Sequence, residues 1–164
     1  MSSLERVQSV LAGKIPDRVP VCPHNFMMAA RETGVRMEDY RVNPEFMART
    51  HLQAVEKYGY DCILLDTDTT LLAEAMGAKS ECAPNEPGRI VEPAIRSLDE
   101  ADRLKVINPE TDGCIPALLE AIRLMAKQVG REVAICGNAD QAAFSLACAA
   151  RGIARLSDGS GRGP

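Results

Sequence analysis

Residues 60–77 read YDCILLDTDTTLLAEAMG, and this stretch decides the fold. Cys62, Ile63, Leu64 and Leu65 form a short apolar run between Gly59 and Asp66. The run is too short for a helix, and its unbroken apolarity suits a strand buried on both faces of a parallel sheet. Asp66, Thr67 and Asp68 then stand where that strand leaves the sheet. Leu71, Leu72, Ala75 and Met76 keep a helical spacing, with Asp68 or Thr69 placed to cap the helix and Gly77 to end it. Ligands of β/α barrels and open sheets bind at the carboxyl ends of strands, so the two carboxylates make a candidate site. The plainer alternative is that both are helix caps, although a cap needs one acid and two are present.

Outward from this stretch the chain repeats strand followed by helix. Ser2 and Glu5 form a capping box for a helix presenting Leu4, Val7 and Leu11, ended by Gly13. Val19 to Cys22 reads as a first strand, weakened by Pro20, after which Asn25 caps a helix running through Phe26 to Gly34. Asn43-Pro44 opens a helix that ends at Gly59. Beyond Gly77, Lys79 to Cys82 and Ile90 to Glu92 flank Pro84-Asn85-Glu86-Pro87-Gly88-Arg89, a hairpin or long loop laid over the central strand's carboxyl end. Ser97 with Glu100 caps a short acidic helix, and a longer one runs from about Pro116 to Gly130. Val133 to Cys136 is a third strand, Gly137-Asn138-Ala139-Asp140-Gln141 its exit loop, and Phe144 to Ala150 the next helix. The pattern predicts parallel neighbours with helices on their outer side.

The 164 residues carry 19 basic and 23 acidic side chains, a net charge of −4, with no basic run, which argues against a nucleic-acid partner. The charged N-terminus MSSLERVQSVL is unlike a signal peptide and no stretch nears a membrane span, so a cytoplasmic location and no membrane partner are expected. None of the six cysteines pairs as C-x-x-C, and most read as small core hydrophobes. Cys22-Pro23-His24 is the exception, its thiol and imidazole following a strand closely enough to face a common site. Two ligands do not complete a metal centre, so no metal residues are assigned.

The segments V-P-V at Val19 to Val21, LLDTDTTLLAEAMG, NEPGRI and GNADQAAFSLACAARG together resemble the uroporphyrinogen decarboxylase family over residues 1 to about 153. The resemblance implies a (β/α)8 barrel, of which the chain holds about three to four β/α units, and a cytoplasmic enzyme of porphyrin or corrinoid chemistry. By its distance from Gly77, Asp68 aligns with the family's catalytic aspartate, which in the decarboxylases is implied to hold pyrrole N–H groups and stabilise a cationic ring. His24, Asn25, Asp66, Asn138 and Gln141, on the strand exits, are the substrate-binding candidates.

Two departures point towards the cobamide-dependent methyltransferases of the same superfamily. The decarboxylases carry an R-Q-A-G-R-type segment after their first strand, whereas CPHNFMMAARETG offers only Arg31. Where they carry a substrate-facing tyrosine, Ala149 stands here. For a full-length methyltransferase the resemblance implies a corrinoid or corrinoid protein as partner. It also implies zinc, held by a histidine and cysteines of the barrel's second half, with no cofactor held within these residues. The tail from residue 154, ending SDGSGRGP, is unpatterned and reads as a flexible tail or as the product of a cut or frame-shifted gene. Three readings follow: an inactive fragment of a family enzyme, a noncatalytic half-barrel remnant or assembly module, and a small Cys/His metal-binding protein; the chain itself is expected to self-associate through exposed barrel edges.

Overall fold

The computed structural model describes residues 1–138 and 142–152. In chain order these form α1 (Ser3–Leu11), α2 (Phe26–Glu32), α3 (Met37–Tyr40), α4 (Pro44–Tyr58), β1 (Cys62–Leu65), α5 (Leu71–Ala75), β2 (Lys79–Glu81) and β3 (Arg89–Glu92). A 3-10 helix (Leu98–Arg103), α6 (Ile115–Val129), β4 (Ala134–Gly137) and α7 (Ala143–Arg151) follow.

β1 pairs in parallel with β4, Cys62 opposite Ala134 and Leu65 opposite Gly137. Side chains alternate along a strand, so Ile63 and Leu65 share one face. Both are fully buried in a cluster with Met47 and Ala54 of α4 and Leu118, Ala121 and Met125 of α6. Burying each is worth roughly 1.5–3 kcal/mol, and this layer holds the helices to the outside of the sheet. α4 has the ends its sequence predicts: Asn43 accepts the Phe46 N–H, Pro44 opens the helix, and Gly59 closes it at a φ of 65°. The expected hairpin is present as β2 and β3, antiparallel with a register shift between Lys79 and Ser80. The result is a partial (β/α)8 barrel with a hairpin inserted after α5.

Three expectations are corrected. Val19 to Cys22 is not a strand. Pro20 and Pro23 have no N–H to give a ladder, and the Val21 N–H goes to the Asp61 carboxylate at 2.8 Å. The segment still lies along β1, its Val21 carbonyl accepting from the N–H groups of Asp61 and Cys62. The Asp61 and Leu65 carbonyls accept from Ala134 and Asn138 on the other edge, so the first segment and β4 flank β1. Secondly, Leu11 of α1 is exposed, and the buried residue of that helix is Arg6, paired with Asp17 and Asp61. Thirdly, the N-cap of α5 is Thr70 rather than Asp68 or Thr69.

Asp61 anchors the amino end of β1. It is fully buried and accepts from Ser3, Arg6, Arg18 and the Val21 N–H. Burial acts to raise its pKa, but the Val21 N–H, Arg18, Ser3 and Arg6 together outweigh it and hold the pKa at about 2.

Candidate functional site

At the opposite, carboxyl end of β1, Asp66 and Asp68 have different surroundings. Asp68 is turned into the protein, its side chain 1% exposed. Its Oδ1 accepts from the N–H and hydroxyl of Thr70 at 2.8 and 2.6 Å, and its Oδ2 from Arg41 Nε at 2.9 Å and the Gly88 N–H at 3.2 Å. Both carboxylate oxygens are therefore occupied. Arg41, itself 7% exposed, also reaches Glu74 Oε2 at 2.9 Å and Thr70 Oγ1 at 3.2 Å, while the Ser80 hydroxyl bonds Glu74. Burial alone would weaken the guanidinium's hold on its proton, but Asp68, Cys114 and Glu74 reverse this and raise its pKa. This ion cluster ties the residues between α3 and α4, the start of α5 and the hairpin together over the end of β1.

Gly88 passes too near the Asp68 carboxylate to carry a side chain. A Cβ there would sit 2.6 Å from Asp68 Oδ2 and 3.0 Å from Thr70 Oγ1, so a residue with a side chain would push the loop off the carboxylate. The P-G pair of NEPGRI signals a turn but does not show what the turn must pass.

Asp66 faces the other way. Its Oδ1 takes the Thr67 N–H at 2.7 Å, its Oδ2 lies 2.7 Å from His24 Nε2, and its side chain is 11% exposed against 54% for His24. Behind it, Tyr40 is completely buried and donates its hydroxyl to the Asp66 carbonyl at 2.9 Å. That hydroxyl also lies 2.8 Å from Nε2 of His51, which is fully buried. Since the hydroxyl proton goes to Asp66, Nε2 of His51 carries the proton and its buried Nδ1 is left without a partner. Desolvation lowers the His51 pKa to about 4 and raises that of Tyr40, so this pair stays neutral.

The first segment brings His24 and Asn25 to this mouth and β4 brings Asn138, whose N–H bonds the Leu65 carbonyl at 3.2 Å. Asn25 is buried with neither side-chain amide atom in hydrogen-bond geometry, and Thr67 Oγ1 is likewise buried without a partner. The Asn25 side chain lies beside Tyr60, where it acts to lower the phenol's pKa against the larger effect of burial, and the Tyr60 hydroxyl also reaches the His51 carbonyl at 3.4 Å. Gln141 lies outside the described residues. Arg31 lines a separate surface cleft with Met27, Met28 and Asn85, and Ala149 lines a third region, a cleft of about 650 Å³ between the hairpin and α7 that also includes Ile90, Phe144 and Cys148. Arg41, Tyr40, His51 and Gly88 were not singled out from the sequence, because nothing local links them to carboxylates far along the chain.

The sequence pattern that defines the uroporphyrinogen decarboxylase (URO-D) family matches residues 2–157. The chain belongs to the uroporphyrinogen decarboxylase family. Within it, the chain is 30% identical over 148 residues to uroporphyrinogen decarboxylase of Geobacter metallireducens, covering 83% of this chain and 40% of that protein. It is 31% identical over 142 residues to the methylcobamide:CoM methyltransferase MtaA of Methanosarcina barkeri, covering 81% and 40%. A solved methyltransferase from Methanosarcina mazei superposes with a TM-score of 0.83 at 24% identity, over 96% of this chain and 48% of that one, a likeness of fold. The chain thus spans about 40% of the length of the curated relatives it matches. These two relatives, one of each chemistry, match the chain at nearly the same identity, so identity to them does not separate the two chemistries.

No three His, Cys, Asp or Glu side chains converge as a metal site among the described residues. A zinc ion takes about four donors, and His24 with Asp66 offers two, so this pair does not by itself fit a zinc site. No described helix is long and apolar enough to cross a membrane.

Proposed function

We propose that this chain contributes the first part of a barrel active site for a tetrapyrrole or corrinoid-linked ligand, serving methyl transfer rather than porphyrinogen decarboxylation. The observation that carries this reading is the state of Asp68. An aspartate that holds pyrrole N–H groups needs free, ligand-facing oxygens, whereas this one is buried and saturated by Arg41, Thr70 and Gly88. Arg31 stands in a different cleft, so a polyanionic porphyrinogen would also lack its guanidinium clamp. His24, Asn25, Asp66 and Asn138 are left as the ligand-binding groups among the described residues. Asp68 serves the site indirectly, by holding the hairpin beside it.

A corrinoid would supply the methyl-carrying centre, and this chain's residues would position its partner at the mouth. Absorbance titrations with hydroxocobalamin and with uroporphyrin test the reading. Saturable corrinoid binding, weakened by Asp66→Asn, is expected. Preferential uroporphyrin binding that Asp68→Asn abolishes would reverse it in favour of decarboxylase-type recognition. Binding of neither would favour the noncatalytic module.

A further inference from the structure

The geometry points to a proton-transfer dyad of His24 and Asp66, in which His24 Nδ1 takes the proton from a weakly acidic thiol or hydroxyl of a ligand at the mouth of the sheet. It rests on the reading that the carboxyl ends of β1 and β4 form the site, but on no particular cofactor. A carboxylate only accepts, so the 2.7 Å contact between Asp66 Oδ2 and His24 Nε2 puts the imidazole proton on Nε2 and the lone pair on Nδ1. The ring is more than half exposed while its carboxylate is nearly buried, the arrangement of a base that meets a ligand and a group that orients it.

Asp66 is a rigid positioning residue. One oxygen is fixed by the Thr67 N–H, and its carbonyl is pinned by Tyr40, which His51 backs from the core. An ion pair formed by chance between surface side chains needs none of this support. Next to Asp66 in sequence, Thr67 buries a hydroxyl oxygen with no hydrogen-bond partner among the described residues. Such an orphan is costly unless something polar meets it. In the step itself the X–H proton moves to Nδ1, the electron pair stays on X as the nucleophile, and the imidazolium is held by the Asp66 carboxylate. His24 is then the catalytic base, and Asp66 acts through it.

The chain has two histidines, and the other, His51, is fully buried, so His24 can be followed alone. Nitrogen-15 NMR of the histidine-labelled chain at pH 8.5 should show His24 with its proton on Nε2. Diethyl pyrocarbonate, read at 240 nm, reports the Nδ1 lone pair. Nδ1 attacks the reagent's carbonyl carbon, ethyl carbonate leaves and breaks down to carbon dioxide and ethanol, and the Nε2 proton is lost through Asp66. One histidine should react, about tenfold faster than N-acetylhistidine, with the excess lost in Asp66→Asn and recovered in Asp66→Glu. His24→Gln should abolish the fast phase. A His24 proton resident on Nδ1, or a rate in the wild-type chain no greater than that of N-acetylhistidine, overturns the dyad. Both measurements on the wild-type chain decide the matter even if Asp66→Asn fails to fold. Neither involves a tetrapyrrole or corrinoid, so failure of corrinoid binding leaves the dyad standing, and failure of the dyad leaves the ligand reading intact.

Discussion

Asp68→Asn should destabilise the chain substantially, although asparagine caps helices as well as aspartate and a cap-only role predicts almost no effect. The amide keeps one oxygen for the Thr70 N–H and hydroxyl. Its NH₂ group then occupies the place of Oδ2 and meets two donors, Arg41 Nε–H and the Gly88 N–H. Removing one partner of a buried ion pair costs roughly 3–5 kcal/mol, and Arg41 and Asp68 are both deeply buried. Glu74 stays on Arg41 at 2.9 Å and offsets part of this, which brings the expected loss to about 3 kcal/mol. For a domain of this size that is a fall in Tm of roughly 6–12 °C. Urea unfolding of Asp68→Asn, Arg41→Met and the double variant supplies a thermodynamic cycle, with a coupling of at least about 1.5 kcal/mol expected for residues in one buried network. A single variant within about 0.5 kcal/mol of wild type would refute the reasoning, since that is the range of surface changes.

Further expectations concern the core, the loop and the exposed face. His51, with a pKa of about 4 when folded against an ordinary 6.5, binds fewer protons folded than unfolded, so its contribution is intact above pH 6.5 and is lost as pH falls towards 4. The full loss is about 3 kcal/mol, and urea midpoints between pH 7 and 5 should fall more steeply for wild type than for His51→Gln; parallel slopes would contradict this. Gly88→Ala places a methyl 2.6 Å from Asp68 Oδ2 and should cost roughly 1–3 kcal/mol, with faster amide exchange in the hairpin; unchanged exchange would count against the lock. Val19, Val21 and Phe144, the last 77% exposed, leave apolar surface beside unpaired strand edges. Sedimentation at about tens of micromolar should therefore detect self-association, and a stable monomer would sink that expectation.

What the sequence disclosed was what short-range physics decides. The apolar run of β1, the Asn43-Pro44 start and Gly59 stop of α4, and the Ser2/Glu5 and Ser97/Glu100 capping boxes are all where local rules put them. Val19 to Cys22 has the β-branched side chains of a strand, but Pro20 and the following Pro23 lack the N–H donors that a ladder needs. The pairing of Arg41 with Asp68 was not legible at all: it joins residues 27 apart, through burial that no local pattern announces. Of the candidate site, the strand end that carries both aspartates was legible and their separate surroundings were not. Two aspartates two residues apart look alike in sequence, and only their surroundings separate the Asp68 that locks a hairpin from the Asp66 that faces His24.

The claim that the carboxyl ends of β1 and β4 form the ligand-binding mouth is tested most directly by mapping backbone amide shifts while hydroxocobalamin is added to the labelled chain. The account predicts saturable shifts concentrated at His24, Asn25, Asp66, Thr67 and Asn138, with Asp68 and Gly88 moving little because their contacts are already satisfied. Shifts confined to the cleft lined by Ile90, Phe144 and Ala149, or no saturable shift at any of the five residues, would contradict it.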